Sequence, residues 1–284
     1  MRIGPYHIDA IDTGRFALDG GAMFGVVPRV MWSKTNPPDD RHRITMAARC
    51  LLIRGGGRTI LVDAGNGTKF SDKLKDIYRL DTTHSSLDQS LASKGVRPDD
   101  ITDVVLTHLH FDHAGGATRT TNGDTVPAFP NARYYVQARH WERALRPSEK
   151  DRASFMHSDY LPLKEHGVLE LVDGEVELFP GIDVLLCDGH TDAQQLPRIS
   201  DGSRTLLFCC DLVPTSSHVP LPYVMAYDLR PLTTIEEKKR VLGRASEEKW
   251  VLFLEHDPDT ETFTVSPSEK GPVISEKRTL SSWQ

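Results

Sequence analysis

The chain has 284 residues, 38% of them apolar and 26% charged, and a net charge of −6 at pH 7. This length allows one large domain or two small ones with a buried core. The acidic balance argues against a nucleic-acid surface, which is characteristically basic. No apolar run approaches the roughly 18 residues of a membrane-spanning helix. The opening MRIGPYHIDAIDTG lacks the basic-then-apolar order of a secretory signal. Cys50, Cys187, Cys209 and Cys210 form no CxxC pair and read as buried core thiols of a reducing compartment, the cytoplasm by default.

In chain order, residues 2–13 alternate weakly and end at Asp12-Thr13-Gly14, a strand followed by a turn. Residues 19–43 do not read as regular core. GGAMFGVVPRVMW is apolar but punctuated by glycine and proline, and NPPDDRHR is polar. An apolar loop of this length is unusual; it is either a pocket wall or dimer arm, or a loop packed on the core. Two apolar runs, 47–53 and 59–62, flank Gly55-Gly56-Gly57 and predict a hairpin. The second run stops at Asp63, a carboxylate at a strand end; it is a candidate for orienting a ligand histidine, the alternative being a turn aspartate. Periodicity predicts helices over 69–80 and 86–94.

Residues 103–106 form a buried strand, and the chain then turns abruptly polar. His108, His110, Asp112 and His113 fall within six residues, followed by Gly115-Gly116. In an extended segment residues i and i+2 point the same way, so His108 and His110 aim at one point. Asp112 and His113 aim at a second point nearby. Imidazole and carboxylate are ligands for zinc and similar divalent ions. The alternative, a solvated loop with incidental histidines, fits poorly with this density of ligand types directly after an apolar strand.

Further on, 132–137 reads as a strand, 138–145 as a helix with Trp141 inside, and 146–166 as a charged, irregular surface insert. Strands are expected over 168–171, 176–178, 182–186, 205–210 and 250–254. A helix is expected over 234–248 with Thr233 or Thr234 as its N-cap, and a polar surface strand or loop from Pro267. Three later residues share one context, a strand that stops at a ligand-type side chain: His190, Asp211 and His256. Strand ends on one edge of a sandwich can converge. Alone, each would be an ordinary turn residue; with the His108 cluster they read as ligands. His7, His42, His84, His140, His157 and His166 read as surface or local hydrogen-bonding residues.

The His108-Leu109-His110-Phe111-Asp112-His113 run, an HxHxDH pattern, resembles the signature of the metallo-β-lactamase superfamily. Gly189-His190-Thr191, Cys210-Asp211 and Glu255-His256-Asp257 resemble its later metal motifs, in order. The resemblance runs from Asp63 to His256, about two thirds of the chain. It implies an α/β (α+β) fold, a four-layer αββα sandwich, over 1–284 as one hydrolase domain. It also implies two divalent ions, zinc foremost, with iron, manganese or cobalt also suited. His108, His110 and His190 would hold one ion, Asp112, His113 and His256 the other, and Asp211 both. The implied nucleophile is a hydroxide shared by the ions, with Asp112 moving the proton and Asp63 behind the ligands.

Without a cysteine ligand the set resembles the dinuclear hydrolase branch, which includes glyoxalase II-like enzymes and quorum-quenching lactonases. Residues 21–32 and 211–231 resemble segments of lactonases and organophosphate-hydrolase-like members. Met23, Phe24, Trp32, His218 and Tyr223 are the pocket candidates in them. Many such lactonases carry a carbonyl-assisting tyrosine three residues beyond the bridging aspartate; here that position is Pro214. The implied reaction is ring opening of N-acyl homoserine lactones or related lactones. Aryl ester or phosphotriester hydrolysis is the alternative on the same fold, and a non-hydrolytic di-iron redox protein the alternative from another class. The expected partner is a small lactone or ester, not nucleic acid or membrane, and the 19–43 arm suits a homodimer.

Overall fold

The structure is a computed structural model that describes residues 1–283. Among these residues the chain forms two seven-stranded sheets and a separate hairpin. The first sheet is built from β1 (Arg2–Ile3), β2 (Tyr6–Asp19), β3 (Arg43–Gly55), β4 (Arg58–Val62) and β5 (Asp103–Val105). The hairpin is β6 (Thr118–Thr121) and β7 (Asp124–Pro127), after which β8 (Arg133–Gln137) and β9 (Leu169–Val172) complete the first sheet. The second sheet runs in sequence order through β10 (Glu177–Phe179), β11 (Ile182–Cys187), β12 (Gln194–Ser200), β13 (Thr205–Phe208), β14 (Val251–Phe253), β15 (Thr262–Ser266) and β16 (Val273–Arg278).

The apolar runs are continuous rather than alternating because the first sheet is covered on both faces. In β3, Leu51 and Ile53 join Ile60, Val62 and Val105 in the core shared with the second sheet, where they meet Leu185, Leu196 and Leu206. Their neighbours Cys50, Leu52, Leu61, Val104 and Leu106 pack on the other face with Leu91, Trp141, Tyr160 and Leu163 from the helices. The helix Pro231–Glu247 packs on the second sheet through Val241, Leu242 and Ala245. The layers are therefore helix, sheet, sheet, helix, as expected. No helix among the described residues is long and apolar enough to cross a membrane.

Several boundaries differ from expectation. The Asp12–Gly14 segment is a bulge inside β2 rather than a turn: the register with β3 shifts between Asp12 and Arg15. The last long helix starts at Pro231, whose missing N–H costs nothing at a first helical position, so Thr234 lies inside it and not at its cap. Residues 146–166 are more than a surface insert, because the helix His157–Glu165 buries Tyr160 and Leu163. Strand β12 was hidden by its polar start, Gln194-Gln195, and by Pro197. The expected strand 205–210 stops at Phe208, and the chain turns through Cys210 at φ 47°. The 19–43 arm contains two short helices, Gly20–Phe24 and Arg29–Trp32.

Candidate metal centre

Strand direction places the ligand-type residues together. β4 and β5 are parallel, so Asp63 and Thr107–His108 emerge at one edge. β13 and β14 are parallel, and β11 runs with them through antiparallel β12, so the chains leading to His190, Asp211 and His256 leave the second sheet at its matching edge. Ala47 N donates to His256 O (3.0 Å) and Gln195 N to Thr107 O (2.9 Å), which ties the two edges together. A single helical turn, Phe111–Ala114, carries Asp112 and His113. It is held down by Gly115-Gly116: a Cβ there would lie 2.0 Å from Asn66 O and 2.2 Å from Ala64 O.

His108, His110, His190 and Asp211 bring one ligand atom each within 4.8 Å of one another, and so do Asp112, His113 and His256. His110 Nδ1 lies 3.0 Å from His108 Nε2 and 3.2 Å from His190 Nε2. His190 Nε2 lies 3.0 Å from Asp211 Oδ2. On the other side His113 Nε2 and His256 Nε2 are 3.1 Å apart, and His256 Nε2 is 3.7 Å from Asp112 Oδ2. Asp211 faces both groups, with Oδ2 3.5 Å from His113 Nε2 and Oδ1 3.3 Å from His256 Nε2. All seven side chains are buried.

Four of the outward nitrogens have partners, whereas His110 Nε2 has none among the described residues. His190 Nδ1 donates to Asp228 Oδ1 (3.0 Å) and His256 Nδ1 to Ala47 O (2.9 Å). His113 Nδ1 lies 3.0 Å from both Asp63 Oδ2 and Glu255 Oε2. Thr107 Oγ1 donates to Asp63 Oδ2 (2.7 Å) and lies 3.2 Å from His108 Nδ1. With protons held on Nδ1, the Nε2 lone pairs of these rings converge on shared points, an arrangement that imidazoles adopt around a cation. Asp211 Oδ1 is buried and accepts no hydrogen bond among the described residues. A set of imidazoles and carboxylates with an orphaned carboxylate oxygen fits a divalent ion such as zinc.

Burial and the neighbouring carboxylates pull the rings in opposite directions. Burial pushes His108 and His110 well below the ordinary imidazole range, and neighbouring imidazoles add to it. Burial also acts against His190, but Asp211 and Asp228 outweigh it and raise the ring to about 9. Burial would raise Asp211, yet His190, His113 and His256 hold it well below the carboxylate range.

Sequence reasoning named Asp63 behind the ligands, and it lies at His113. It did not find Asp228, Glu255 or Thr107 as partners. Thr107 adjoins the motif and Glu255 adjoins His256, so both were within reach of the strand-end argument; Asp228 carries no local signal. His140 was read as a surface or local hydrogen-bonding residue; it does hydrogen-bond, but to partners 31 and 52 residues away. It is buried, its Nε2 accepts from Leu109 N (2.8 Å), and its Nδ1 donates to Asp192 O (2.8 Å), bridging the two ligand loops. Cys210 is not in a strand; its Sγ lies behind the ligands, 3.0 Å from Thr107 Oγ1 and 3.6 Å from His108 Nδ1.

A cavity of about 130 Å³ opens over the ligands, walled by Met23, Met46, Tyr78, Phe111, Lys150, Met225 and Tyr227 among others. Of the five pocket candidates only Met23 lines it. Phe24, Trp32, His218 and Tyr223 form the layer behind. Phe24 stacks on Trp32 and His218 at 5.4 and 4.5 Å and meets Tyr223 edge-on at 6.1 Å. His218 Nε2 donates to Met23 O and its Nδ1 accepts from Thr215 Oγ1, each at 2.8 Å, so it braces the arm instead of reaching the mouth. Pro214, in place of the tyrosine, accepts at its carbonyl from His256 N (3.2 Å). The tyrosines at the cavity are Tyr78 and Tyr227.

The family model described as metallo-beta-lactamase superfamily matches residues 45–257. The N-acyl homoserine lactonase AiiA of Bacillus thuringiensis subsp. kurstaki is 29% identical over 227 residues, covering 75% of this chain and 82% of that one. Among solved structures, a probable metal-dependent hydrolase from Staphylococcus aureus matches with a TM-score of 0.89 at 28% identity, over 100% of both chains. AidC, a dizinc quorum-quenching lactonase solved with a product, matches in fold with a TM-score of 0.81 at 21% identity, over 99% of this chain and 97% of that one. The chain belongs to the metallo-beta-lactamase superfamily, as one of its metal-dependent hydrolases.

Proposed function

We propose that this enzyme opens lactone rings, N-acyl homoserine lactones foremost, with two divalent ions held by seven side chains. The observation that carries the reading is the convergence of two ligand groups on Asp211 beneath a cavity walled by methionines, Phe111 and two tyrosines. An apolar wall with a few convergent polar groups suits an acyl substrate. The likeness to AiiA supports the same substrate class.

His108, His110 and His190 would hold one ion and Asp112, His113 and His256 the other, with Asp211 available to either group. When bound, such ions polarise a carbonyl and make water acidic enough to serve as a nucleophile near neutral pH. The chain's own groups do the rest. Asp228, Asp63, Glu255 and the Ala47 carbonyl keep the ligand rings oriented. Met23, Met46 and Met225 exclude water from the acyl side. Asp112 takes a proton from the attacking water and delivers it to the ring oxygen as the carbonyl C–O bond breaks; the product is a hydroxy acid. Tyr78 and Tyr227 line the same cavity and are the tyrosines available to assist the substrate carbonyl.

Zinc is the first ion to test. The exposed Val26, Val30 and Met31 of the arm support a homodimer, which gel filtration checks. Four buried, unpaired cysteines support a reducing, cytoplasmic location.

The deciding experiment is pH-stat hydrolysis of a long-chain N-acyl homoserine lactone by zinc-loaded protein. Proton release that stops on chelation is the expected result. No release from protein shown to hold two ions per chain overturns the lactone reading and directs the search to aryl esters and phosphotriesters.

A further inference from the structure

Among the described residues, the strip from Pro220 to Asp228 has neither helix nor strand, yet it carries Met225 and Tyr227 into the cavity and Asp228 to His190. An irregular strip leaves its carbonyls without ladder partners. Two lysines supply them. Lys238, fully buried on the helix Pro231–Glu247, donates to Pro220 O (2.7 Å), Tyr223 O (3.0 Å) and Leu221 O (3.4 Å). Lys150 donates to three consecutive carbonyls, Ala226 O (2.8 Å), Tyr227 O (3.0 Å) and Asp228 O (3.0 Å). An ammonium has three N–H groups, so each lysine is fully engaged.

The two lysines sit in different surroundings. Lys238 lies beneath the strip and belongs to the core. Lys150 reaches it from outside, from an exposed turn on the opposite wall of the cavity, where Ala153 and Ser154 also line the opening. That turn is itself rigid. Asp151 accepts from Ser148 N (2.8 Å) and from Arg143 Nε and Nη2 (2.9 and 2.7 Å), which fixes the turn to the helix Ala138–Leu145. Lys150 has no carboxylate within ion-pair distance among the described residues. Among the described residues, its bonds to the strip are the only ones its ammonium makes. A third segment closes the ring: Ala226 N donates to Ala22 O of the arm (2.8 Å).

We propose that Lys150 is a positioning residue, a latch that fastens the 226–228 turn across the mouth of the cavity. It thereby fixes both the wall that faces the substrate and, through Asp228, the orientation of His190. The inference rests on reading this cavity as the catalytic pocket, and it assigns to a residue outside the ligand set control over pocket width and over ion retention at His190. Being exposed, the latch can be removed without opening the core, which is not true of Lys238.

The test uses zinc-loaded full-length protein carrying Lys150→Met or Lys150→Arg. Hydrogen–deuterium exchange reads the strip directly, because the amides of Ala226, Asp228 and Leu229 are bonded to Ala22 O, Met225 O and His190 O. In Lys150→Met these amides should exchange at least about tenfold faster, while the ladder amides of β13 and β14 stay as in the parent. Release of the first zinc to a chelator should quicken by about tenfold. For long-acyl substrates KM should rise about tenfold, with kcat changed less than threefold. Lys150→Arg, which keeps charge and donors, should recover part of each effect. Unchanged exchange and unchanged zinc release in Lys150→Met overturn the latch, whatever the kinetics. If the parent hydrolyses no lactone, the lactone reading fails while exchange and zinc release still decide the latch.

Discussion

The ligand cage and the wall above it were assembled by different rules. Each cage position demands a particular chemistry, an imidazole nitrogen or a carboxylate oxygen, at the end of a strand. The wall is mainly apolar surface of the right shape, drawn from β2, the arm, β3, Tyr78, Phe111 and the 225–227 strip, with Lys150 and Ser154 as polar members. A cage residue is therefore fixed one side chain at a time, whereas a wall residue is interchangeable until tertiary contacts decide which member of an apolar run turns inward.

The largest effect should come from the cage. Asp211 faces His190, His113 and His256 at 3.0–3.5 Å. Asp211→Ala should lower kcat/KM by about 10³-fold or more, roughly 4 kcal/mol at the transition state, and the metal content should fall with it. Retained turnover in that variant would remove the cage from the mechanism. The hidden layer of the wall should behave in the opposite way, through stability. Phe24 is fully buried in a stack of rings, so Phe24→Ala should cost about 3–5 kcal/mol in urea unfolding.

His218 extends the same layer into pH. Burial pulls it down to about 4, against the hydrogen bond it makes to Met23 O. An unfolded histidine titrates near about 6.5, so between these values the unfolded chain binds the extra proton. Stability from His218 is then complete above about pH 6.5 and is lost as pH falls towards 4, about 3 kcal/mol in all. Unfolding midpoints measured at steps from pH 7 to 4 should show the decline, and His218→Gln should flatten it. The smallest effect joins cage and wall. Asp228→Asn should weaken zinc binding by about 10–100-fold, read by competition with a chelator, with the fold intact. A loss confined to substrate affinity would place Asp228 with the wall instead.

The same division explains what could be read from the sequence. The individual strands were legible because they are apolar on both faces, as in β3 and β5, but their layering came from the family resemblance and not from the pattern. The proposed cage could be assembled from the sequence because HxHxDH is contiguous and His190, Asp211 and His256 each follow an apolar run. Lys150 and Asp228 were not legible: Lys150 stands in a polar stretch where charged residues are ordinary, and Asp228 is a single carboxylate after the apolar run 223–227 with no ligand-type neighbour. What singles them out is a partner 76–78 residues away for Lys150 and 38 residues away for Asp228. Phe24, Trp32 and Tyr223 were expected to line the pocket but lie one layer behind the cavity, because an apolar loop does not announce which ring faces the void. Pro197 and the paired glutamines concealed β12 for a related reason: a strand covered on both sides tolerates polar residues that find partners, as Gln195 Nε2 does at Leu106 O (2.8 Å).

The cage residues are divided between the halves of the molecule. His108, His110, Asp112 and His113 follow a strand of the first sheet; His190, Asp211 and His256 follow strands of the second. Each proposed ion would thus be gripped from both sides and would act as a rivet through the seam. Ligands that bind only the assembled state stabilise it by mass action, so the holoprotein should resist any slip of one sheet over the other, and chelation should loosen the seam before it melts either half. An enzyme built this way cannot keep its architecture indifferent to its chemistry: losing the cargo at the centre would also be the first step in coming apart.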